Sequence, residues 1–406
     1  MGDPAALQKF LDQYANRSLL RFTTVGSVDD GKSTLIGRLL HDTQNLLDDQ
    51  VNSLREASTM QLGDAPIDFA LVTDGLKAER EQGITIDVAY RYFSTARRNF
   101  IIADTPGHVQ YTRNMATGAS TANLAIILID ARHGVVTQTR RHSFIASLLG
   151  IPRLLICVNK MDLVDYSEEV FRRIVDDYSA FATKLGVVDL KFIPISALNG
   201  DNVVEPSESM PWSEGGSVLH HLETVYVGSD RNLVDFRFPV QWVSRPDPSF
   251  RGFAGQIASG RIRPGEDVLV LPSRLRSKVA RISTFDGDLE EAFPSQSVTL
   301  TLEDEIDISR GDMIVRPNNV PEAADHFEAM VVWMDETPLD SDRRYGIKLG
   351  PQTARARVQD LRYRVDVDTL SRESAETLEL NEIGRMSLKA NRTLFFDSYA
   401  QNRQTG

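Results

Sequence analysis

One run near the N-terminus constrains this chain of 406 residues more than any other feature: Gly26, Ser27, Val28, Asp29, Asp30, Gly31, Lys32, Ser33 and Thr34. It fits G-x-x-x-x-G-K-[ST], follows the apolar stretch RFTTV (21–25) and leads into the helical pattern STLIGRLL. Glycines without Cβ atoms let backbone N–H groups surround phosphates, and the helix N-terminus adds the positive end of its dipole. In such a loop Lys32 reaches the β- and γ-phosphates and the Ser33 hydroxyl ligates Mg²⁺. A strand that turns directly into a helix belongs to a doubly wound α/β sheet, with ligands bound at the carboxyl ends of its strands.

The rest of the first half agrees. NFIIAD (99–104), LAIILID (124–130), LLICVN (154–159) and KFIPIS (191–196) are continuously apolar, as strands of a parallel sheet buried on both faces must be. Val170, Phe171, Ile174, Val175, Tyr178, Phe181 and Leu185 recur at helical spacing, which predicts a helix over 166–185 ended by Gly186. Past 230 the pattern changes to short β-rich segments separated by Pro, Gly and Asp, the mark of antiparallel barrels or sandwiches. The reading is a P-loop domain over 1–230, with a mostly parallel sheet, followed by β-barrels over 231–320 and 321–406. RPNNVPEAA is expected to link the two barrels. The last segment is short for a barrel, so either the barrel is open and incomplete or the chain continues past Gly406.

Further motifs stand at the ends of the expected strands. Asp104, Thr105, Pro106, Gly107 and His108 follow NFIIA; a carboxylate there reaches a phosphate-bound Mg²⁺, and the Gly107 N–H reaches the γ-phosphate. Asn159, Lys160, Met161 and Asp162 follow LLICV. Asp162 can accept hydrogen bonds from N1–H and the exocyclic amine of guanine, whereas adenine would leave that carboxylate unpaired at a cost of roughly 1–3 kcal/mol. Asn159 and the Lys160 stem are expected to hold the base edge and ring face. Ser196, Ala197 and Leu198, after KFIPI, close the pocket with backbone N–H groups. Together these predict a GTP site. Thr85, in EQGITI between the P-loop and Asp104, is the expected second hydroxyl ligand of Mg²⁺ beside Ser33 and Asp104, present with the γ-phosphate and released after hydrolysis. His108 is the candidate catalytic residue, an imidazole that orients the attacking water. Cys157 lies inside a strand and reads as core, the Met/Trp cluster at 330–334 as strand packing, and the acidic run 303–307 as a solvated loop.

Composition enters by exclusion. No apolar run reaches the roughly 18–20 residues of a membrane span, and no basic segment followed by an apolar one marks a secretory signal. A single cysteine excludes an intramolecular disulfide framework and a multi-cysteine zinc site. The balance of 45 basic and 57 acidic residues gives −12, which argues against nucleic acid as the main partner. A cytoplasmic location and no membrane partner are the expectations.

The ordered set GSVDDGKS, EREQGITI, DTPGH, NKMD and SAL resembles the translation-factor GTPases. The resemblance spans nearly the whole chain and implies a G domain before two β-barrels, with His108 catalytic. Elongation factors carry G-H-V-D-H-G-K, and this chain departs from that with Ser27 and Asp30 at the two histidine positions. GSVDDGKSTLIGRLLHDT, LVTDGLKAEREQGITIDVAYRYFST and DTPGHVQYTRNMATGAS are similar instead to the GTP-binding large subunits of sulfate adenylyltransferase. That likeness implies GTP and Mg²⁺ as cofactors and a separate small subunit that holds ATP and sulfate. It further implies that GTP hydrolysis drives formation of adenylylsulfate and pyrophosphate. In some relatives an adenylylsulfate kinase is fused to this subunit. The absence of a second P-loop in the sequence agrees with it. The rival reading is an elongation-factor-like GTPase that delivers aminoacyl-tRNA, which needs basic surfaces on the barrels. Glu322, Asp325, Glu328, Asp335, Glu336 and Asp340 oppose that, while TARARVQDLRYR (353–364) favours it. The stretch 41–80 is the expected partner-facing loop.

Overall fold

The computed structural model describes residues 17–46, 52, 69–72, 87–108, 111–228, 232–246 and 250–406. Thr85 and most of the stretch 41–80 lie outside these residues. The chain divides into two compact units, Met1–Val227 with Val365–Ser371, and Gly228–Arg364 with Arg372–Gly406.

In the first unit the order is β1 (Ser18–Val25), α1 (Lys32–Asp42), a short 3-10 turn (Phe69–Val72), β2 (Ala89–Ser94), β3 (Arg98–Asp104) and α2 (Thr112–Ala119). There follow β4 (Leu124–Asp130), α3 (Thr137–Leu148), β5 (Arg153–Asn159), α4 (Glu168–Ala182), β6 (Asp189–Pro194) and α5 (Val218–Thr224). The strands form one six-stranded sheet in the order β2-β3-β1-β4-β5-β6. Every neighbouring pair is parallel except the edge pair β2–β3. Parallel pairing brings the carboxyl ends of β1, β3, β4, β5 and β6 to one side of the sheet, and the motifs at 26–34, 104–108, 159–162 and 196–198 start there.

Burial explains the composition. All residues of β4 and β5 are buried, so neither strand alternates polar with apolar side chains. Against β1 and β3, α1 buries Leu35, Ile36, Leu39 and Leu40 into a core that includes Phe22, Phe100 and Ile102, each such side chain contributing about 1.5–3 kcal/mol. The helix expected over 166–185 runs Glu168–Ala182, and the Ser167 hydroxyl caps it by accepting the Val170 N–H at 3.4 Å. Its last expected turn is a tighter one, Leu185 N–H donating to Ala182 O at 2.9 Å, before Gly186 turns the chain at φ +66°.

The second unit contains two sheets. The first is β7 (Arg237–Ser244), β8 (Gly252–Gln256), β9 (Asp267–Leu271), β10 (Leu275–Thr284), β11 (Gly287–Asp288), β12 (Ser297–Leu302) and β13 (Met313–Val315). They pair in the order β11-β10-β12-β8-β7-β13-β9, and β9 also pairs with β10, so the path closes into a barrel around Phe236, Phe238, Val240, Phe253 and Ile282. The second sheet is β14 (Glu322–Val332), β15 (Arg344–Leu349), β16 (Gln352–Val365), β17 (Arg372–Glu373) and β18 (Ile383–Phe396), paired β14-β18-β16-β15 with β17 on β16. This path is open. The segment expected as a linker is shorter than its composition suggested, because Glu322 already pairs with Phe396 and only its Pro-containing beginning stays outside the ladder. A buried ion pair joins the sheets: Arg237 donates from Nε to Asp397 Oδ2 at 2.9 Å and from Nη2 to Oδ1 at 2.8 Å. Thr405 Oγ1 donates to the same carboxylate at 2.6 Å, which folds the last residues back on it.

Candidate functional site

The loop between β1 and α1 is fixed in shape by its own side chains. Asp30 Oδ2 accepts the Ser27 N–H at 2.5 Å, Gly31 has φ +91° and Asp29 φ +66°. A Cβ on Gly31 would meet Asn159 Nδ2 at 2.4 Å, so this position takes only glycine, both for its left-handed backbone and for its neighbour. Lys32 is buried, and its Nζ donates to Gly26 O at 3.1 Å and Ser27 O at 2.7 Å. Burial pulls its ammonium below the ordinary lysine range, opposed by Asp30, Asp104 and Asp29. Burial likewise pushes the Asp30 carboxyl up, against the pull of Lys32. The buried Ser27 Oγ has no hydrogen-bond partner among the described residues. Val28 is exposed at the tip, and Ser33 and Thr34 occupy the first turn of α1.

The loop after β3 lies against this one. Asp104 is fully buried opposite Thr24, whose Oγ1 donates to it at 3.4 Å, and Thr105 Oγ1 donates to Thr24 O at 2.6 Å. At Gly107, beyond Pro106, a Cβ would fall 2.3 Å from Lys32 Nζ and 2.6 Å from Gly26 O. Nothing larger than glycine fits. His108 is half-buried, with its ring 5.9 Å from that of Tyr111. Behind Gly107 stands a group the sequence did not reveal: Gln138 Nε2, on α3, is 3.5 Å from Gly107 O and 2.7 Å from His142 Nε2, and Arg141 donates to Gln138 Oε1 at 3.1 Å. His142 is fully buried; burial first, then Lys32 and Arg141, push its imidazole down to about 3. It is therefore neutral and accepts from the glutamine.

The base-side loops converge on Asn159. Its Nδ2 donates to Asp30 O at 2.8 Å and its Oδ1 accepts the Ala197 N–H at 2.9 Å. One carboxamide thus ties the phosphate loop to the loop after β6. Lys160 sits at φ +63° and pairs with Asp130 at 3.0 Å. Asp130 is a second residue that sequence reasoning passed over as the last letter of an apolar strand. Burial disfavours its charge, but hydrogen bonds from Arg132 and Lys160 outweigh that and hold the carboxyl far below its ordinary range. Met161 is buried, its N–H donating to Ile195 O at 3.2 Å, while Asp162 stays half-exposed in the 3-10 turn that follows β5. Ser196 and Ala197 are buried and Leu198 is exposed.

The arrangement fits a nucleoside triphosphate. Its phosphate end offers two glycines packed without room for a Cβ, a buried ammonium and an orphaned buried hydroxyl; its base end offers an accessible carboxylate. Ser33 and Asp104 are the described residues that could hold Mg²⁺, and Thr85 lies outside the described residues. Among the described residues no three His, Cys, Asp or Glu side chains group as a metal site, so a cation here would draw on hydroxyl, carboxylate and phosphate oxygens together. Also among them, no helix is long and apolar enough to cross a membrane.

Comparison with known proteins gives a consistent picture. The family of elongation factor Tu GTP binding domains matches residues 17–236, and the GTP-eEF1A C-terminal domain-like family matches 326–406. The bifunctional enzyme CysN/CysC of Rhodopirellula baltica is 60% identical over 403 residues, covering 98% of this chain and 62% of that protein. Sulfate adenylyltransferase subunit 1 of Bacteroides fragilis is 58% identical over 408 residues, 100% of this chain and 86% of the relative. That of Shewanella oneidensis is 55% identical over 406 residues, 98% of this chain and 84% of the relative. The chain therefore spans less than two thirds of the bifunctional relative and most of the other two.

Proposed function

From the premise that this chain belongs to the sulfate adenylyltransferase subunit 1 family and carries a GTP-binding domain of the elongation factor Tu type, we propose that it is the GTPase subunit of a sulfate adenylyltransferase. GTP hydrolysis on this chain drives ATP and sulfate to adenylylsulfate and pyrophosphate, and the adenylyl transfer takes place on a small partner subunit. An adenylylsulfate kinase, fused or associated, is a further partner of this reading. The observation that carries it is the convergence of the strand-end loops on one cradle, in a chain 58% identical over its whole length to a named subunit 1. The three-part division at 230 and 321 belongs to the same reading, as does a cytoplasmic location.

In this assignment Gly26 to Thr34 surround the phosphates, and Lys32 turns from its carbonyl partners to the β- and γ-oxygens. Ser33 and Asp104, with Thr85, would hold Mg²⁺, which would supply charge neutralisation on the phosphates when bound. Gly107 brings its N–H to the γ-phosphate end because its missing side chain lets the two loops touch. Hydrolysis is mainly alignment, and His108 orients the water. His108→Ala is expected to slow single-turnover GTP hydrolysis by about a hundredfold, with GTP affinity retained in a parallel titration; undiminished turnover removes the histidine from the mechanism. Asp162 reads N1–H and the 2-amine. In Asp162→Asn the amide presents an N–H where guanine presents its own, so the preference is expected to move toward xanthine nucleotides by at least about tenfold. Retained guanine selectivity in competition binding counts against the base assignment.

The decisive measurement is pyrophosphate release from ATP and sulfate by this chain with the candidate small subunit. Release that rises with GTP supports the reading, and release indifferent to GTP overturns it. The rival, delivery of aminoacyl-tRNA, loses part of its support in the basic strand β16. Arg362 pairs with Glu328 at 3.2 Å and with Asp360 at 2.8 Å, and Arg364 pairs with Glu373 at 2.8 Å and Glu382 at 2.6 Å. These guanidinium groups are already neutralised for a phosphate backbone.

A further inference from the structure

We infer that Arg38 is a positioning residue for the discrimination between guanine and adenine, acting through the one backbone N–H of residues 196–198 that is not already committed; this rests on the reading of the site as a guanine-nucleotide site. Of the three residues expected to close the pocket, two have committed N–H groups. Ser196 N–H donates to Asp201 O at 3.2 Å and Ala197 N–H to Asn159 Oδ1 at 2.9 Å. That leaves Leu198 as the donor for the 6-oxo group of a base.

Where the Leu198 N–H points is fixed by Arg38. This residue, nearly two turns into α1, donates from Nε to Ala197 O at 3.2 Å and from Nη2 to Leu198 O. The only cis peptide among the described residues is Leu271–Pro272, so the Ala197–Leu198 peptide is trans. In a planar trans peptide the carbonyl and the following N–H point in opposite directions. With the Ala197 carbonyl drawn to Arg38, the Leu198 N–H is turned to the opposite side of the peptide.

The guanidinium is itself over-determined. Its Nη1 lies 3.6 Å from Asp42 Oδ1, and its carbon stands 4.1 Å over the Phe69 ring. Phe69 can come so close because position 37 is glycine: a Cβ there would be 2.1 Å from the Phe69 carbonyl oxygen. A planar fork with two donors and a stacking face suits this task, and lysine supplies neither the second directed donor nor the stacking plane. Arg38 touches no base. It sets the loop that does.

Adenine carries an amine at position 6, so a fixed N–H opposes it, whereas guanine and hypoxanthine both present an oxygen there. The 2-amine, read by Asp162, distinguishes guanine from hypoxanthine. Arg38 therefore controls one ratio and not the other. The full-length chain and its Arg38→Met and Arg38→Lys variants would be titrated with GTP, ITP and ATP in the presence of Mg²⁺. Arg38→Met is expected to narrow the GTP-to-ATP affinity ratio by about tenfold, the equivalent of one charge-assisted hydrogen bond, and to leave the GTP-to-ITP ratio at its wild-type value. Arg38→Lys should fall between. If Arg38→Met weakens all three nucleotides equally, or leaves both ratios unchanged, the inference is overturned while the site assignment stands. If Arg38→Met does not fold, Arg38→Lys alone decides on the same two ratios. A wild-type chain without guanine preference overturns the site assignment itself.

Discussion

Lys32→Ala is expected to lose GTP affinity by a factor of about a hundred or more, since two charge-assisted hydrogen bonds to phosphate oxygens each contribute roughly 1.5–3 kcal/mol. The side chain is buried beneath the loop it serves, between Gly26 O and Ser27 O on one side and Gly107 on the other. Its truncation removes a cation that no described neighbour replaces at that position, while Asp30 and Asp104 remain and repel the incoming phosphates. Isothermal titration with GTP, on protein whose thermal midpoint shows it to be folded, checks the outcome. Affinity within tenfold of the parent would mean that the phosphates lie elsewhere.

The second large effect concerns stability rather than binding. Arg237→Ala leaves the Asp397 carboxylate buried without its bidentate partner, an uncompensated charge that costs about 3–5 kcal/mol. Arg237 also donates from Nη1 to Asn319 O at 2.9 Å and to Asn319 Oδ1 at 2.7 Å, so the turn before β14 loses an anchor with the same change. Denaturant unfolding should show the midpoint of the β unit shifted strongly downward, with GTP binding by the other unit preserved. Replacing both partners together, as Arg237→Met with Asp397→Leu, should recover much of the loss, because the desolvation of the pair disappears with it. A double variant as unstable as the single one would show that packing, not charge, explains the effect.

What the sequence disclosed, and what it hid, follows from which forces leave a local signature. Strands β4 and β5 are buried on both faces and therefore read as unbroken apolar runs, and the glycines of the phosphate loop are imposed by geometry within a few residues. Helix α3 had no such signature. Its buried residues include Thr139, His142 and Ser143 beside Ile145 and Ala146, so the face turned inward is largely polar and the apolar period is missing. Their reasons are tertiary and invisible along the chain: His142 supports Gln138 behind the Gly107 loop, and Ser143 accepts the Tyr178 hydroxyl of α4 at 2.7 Å. Strand β18 was read only in its last residues, TLFF; Lys389, Asn391 and Arg392 interrupt the apolar pattern on its outer face while Met386, Ala390 and Leu394 remain buried. Asp130 and Arg38 were missed for a third reason. Each acts on a loop far away in sequence, Lys160 in one case and Ala197 with Leu198 in the other, and only the parallel sheet brings them together.

Because both ends of the Asn159 carboxamide are taken, one by the carbonyl of Asp30 and the other by the N–H of Ala197, the two regions it joins behave as a single clamp. Under the proposed assignment such a clamp grips the parts of a nucleotide that survive cleavage, the base and the inner phosphates, and is blind to whether the outermost group has gone. On the same assignment, telling fuel from spent fuel falls to the neighbouring stretch at 104–108, which Thr105 anchors to Thr24 O at 2.6 Å and Gln138 backs at 3.5 Å from Gly107.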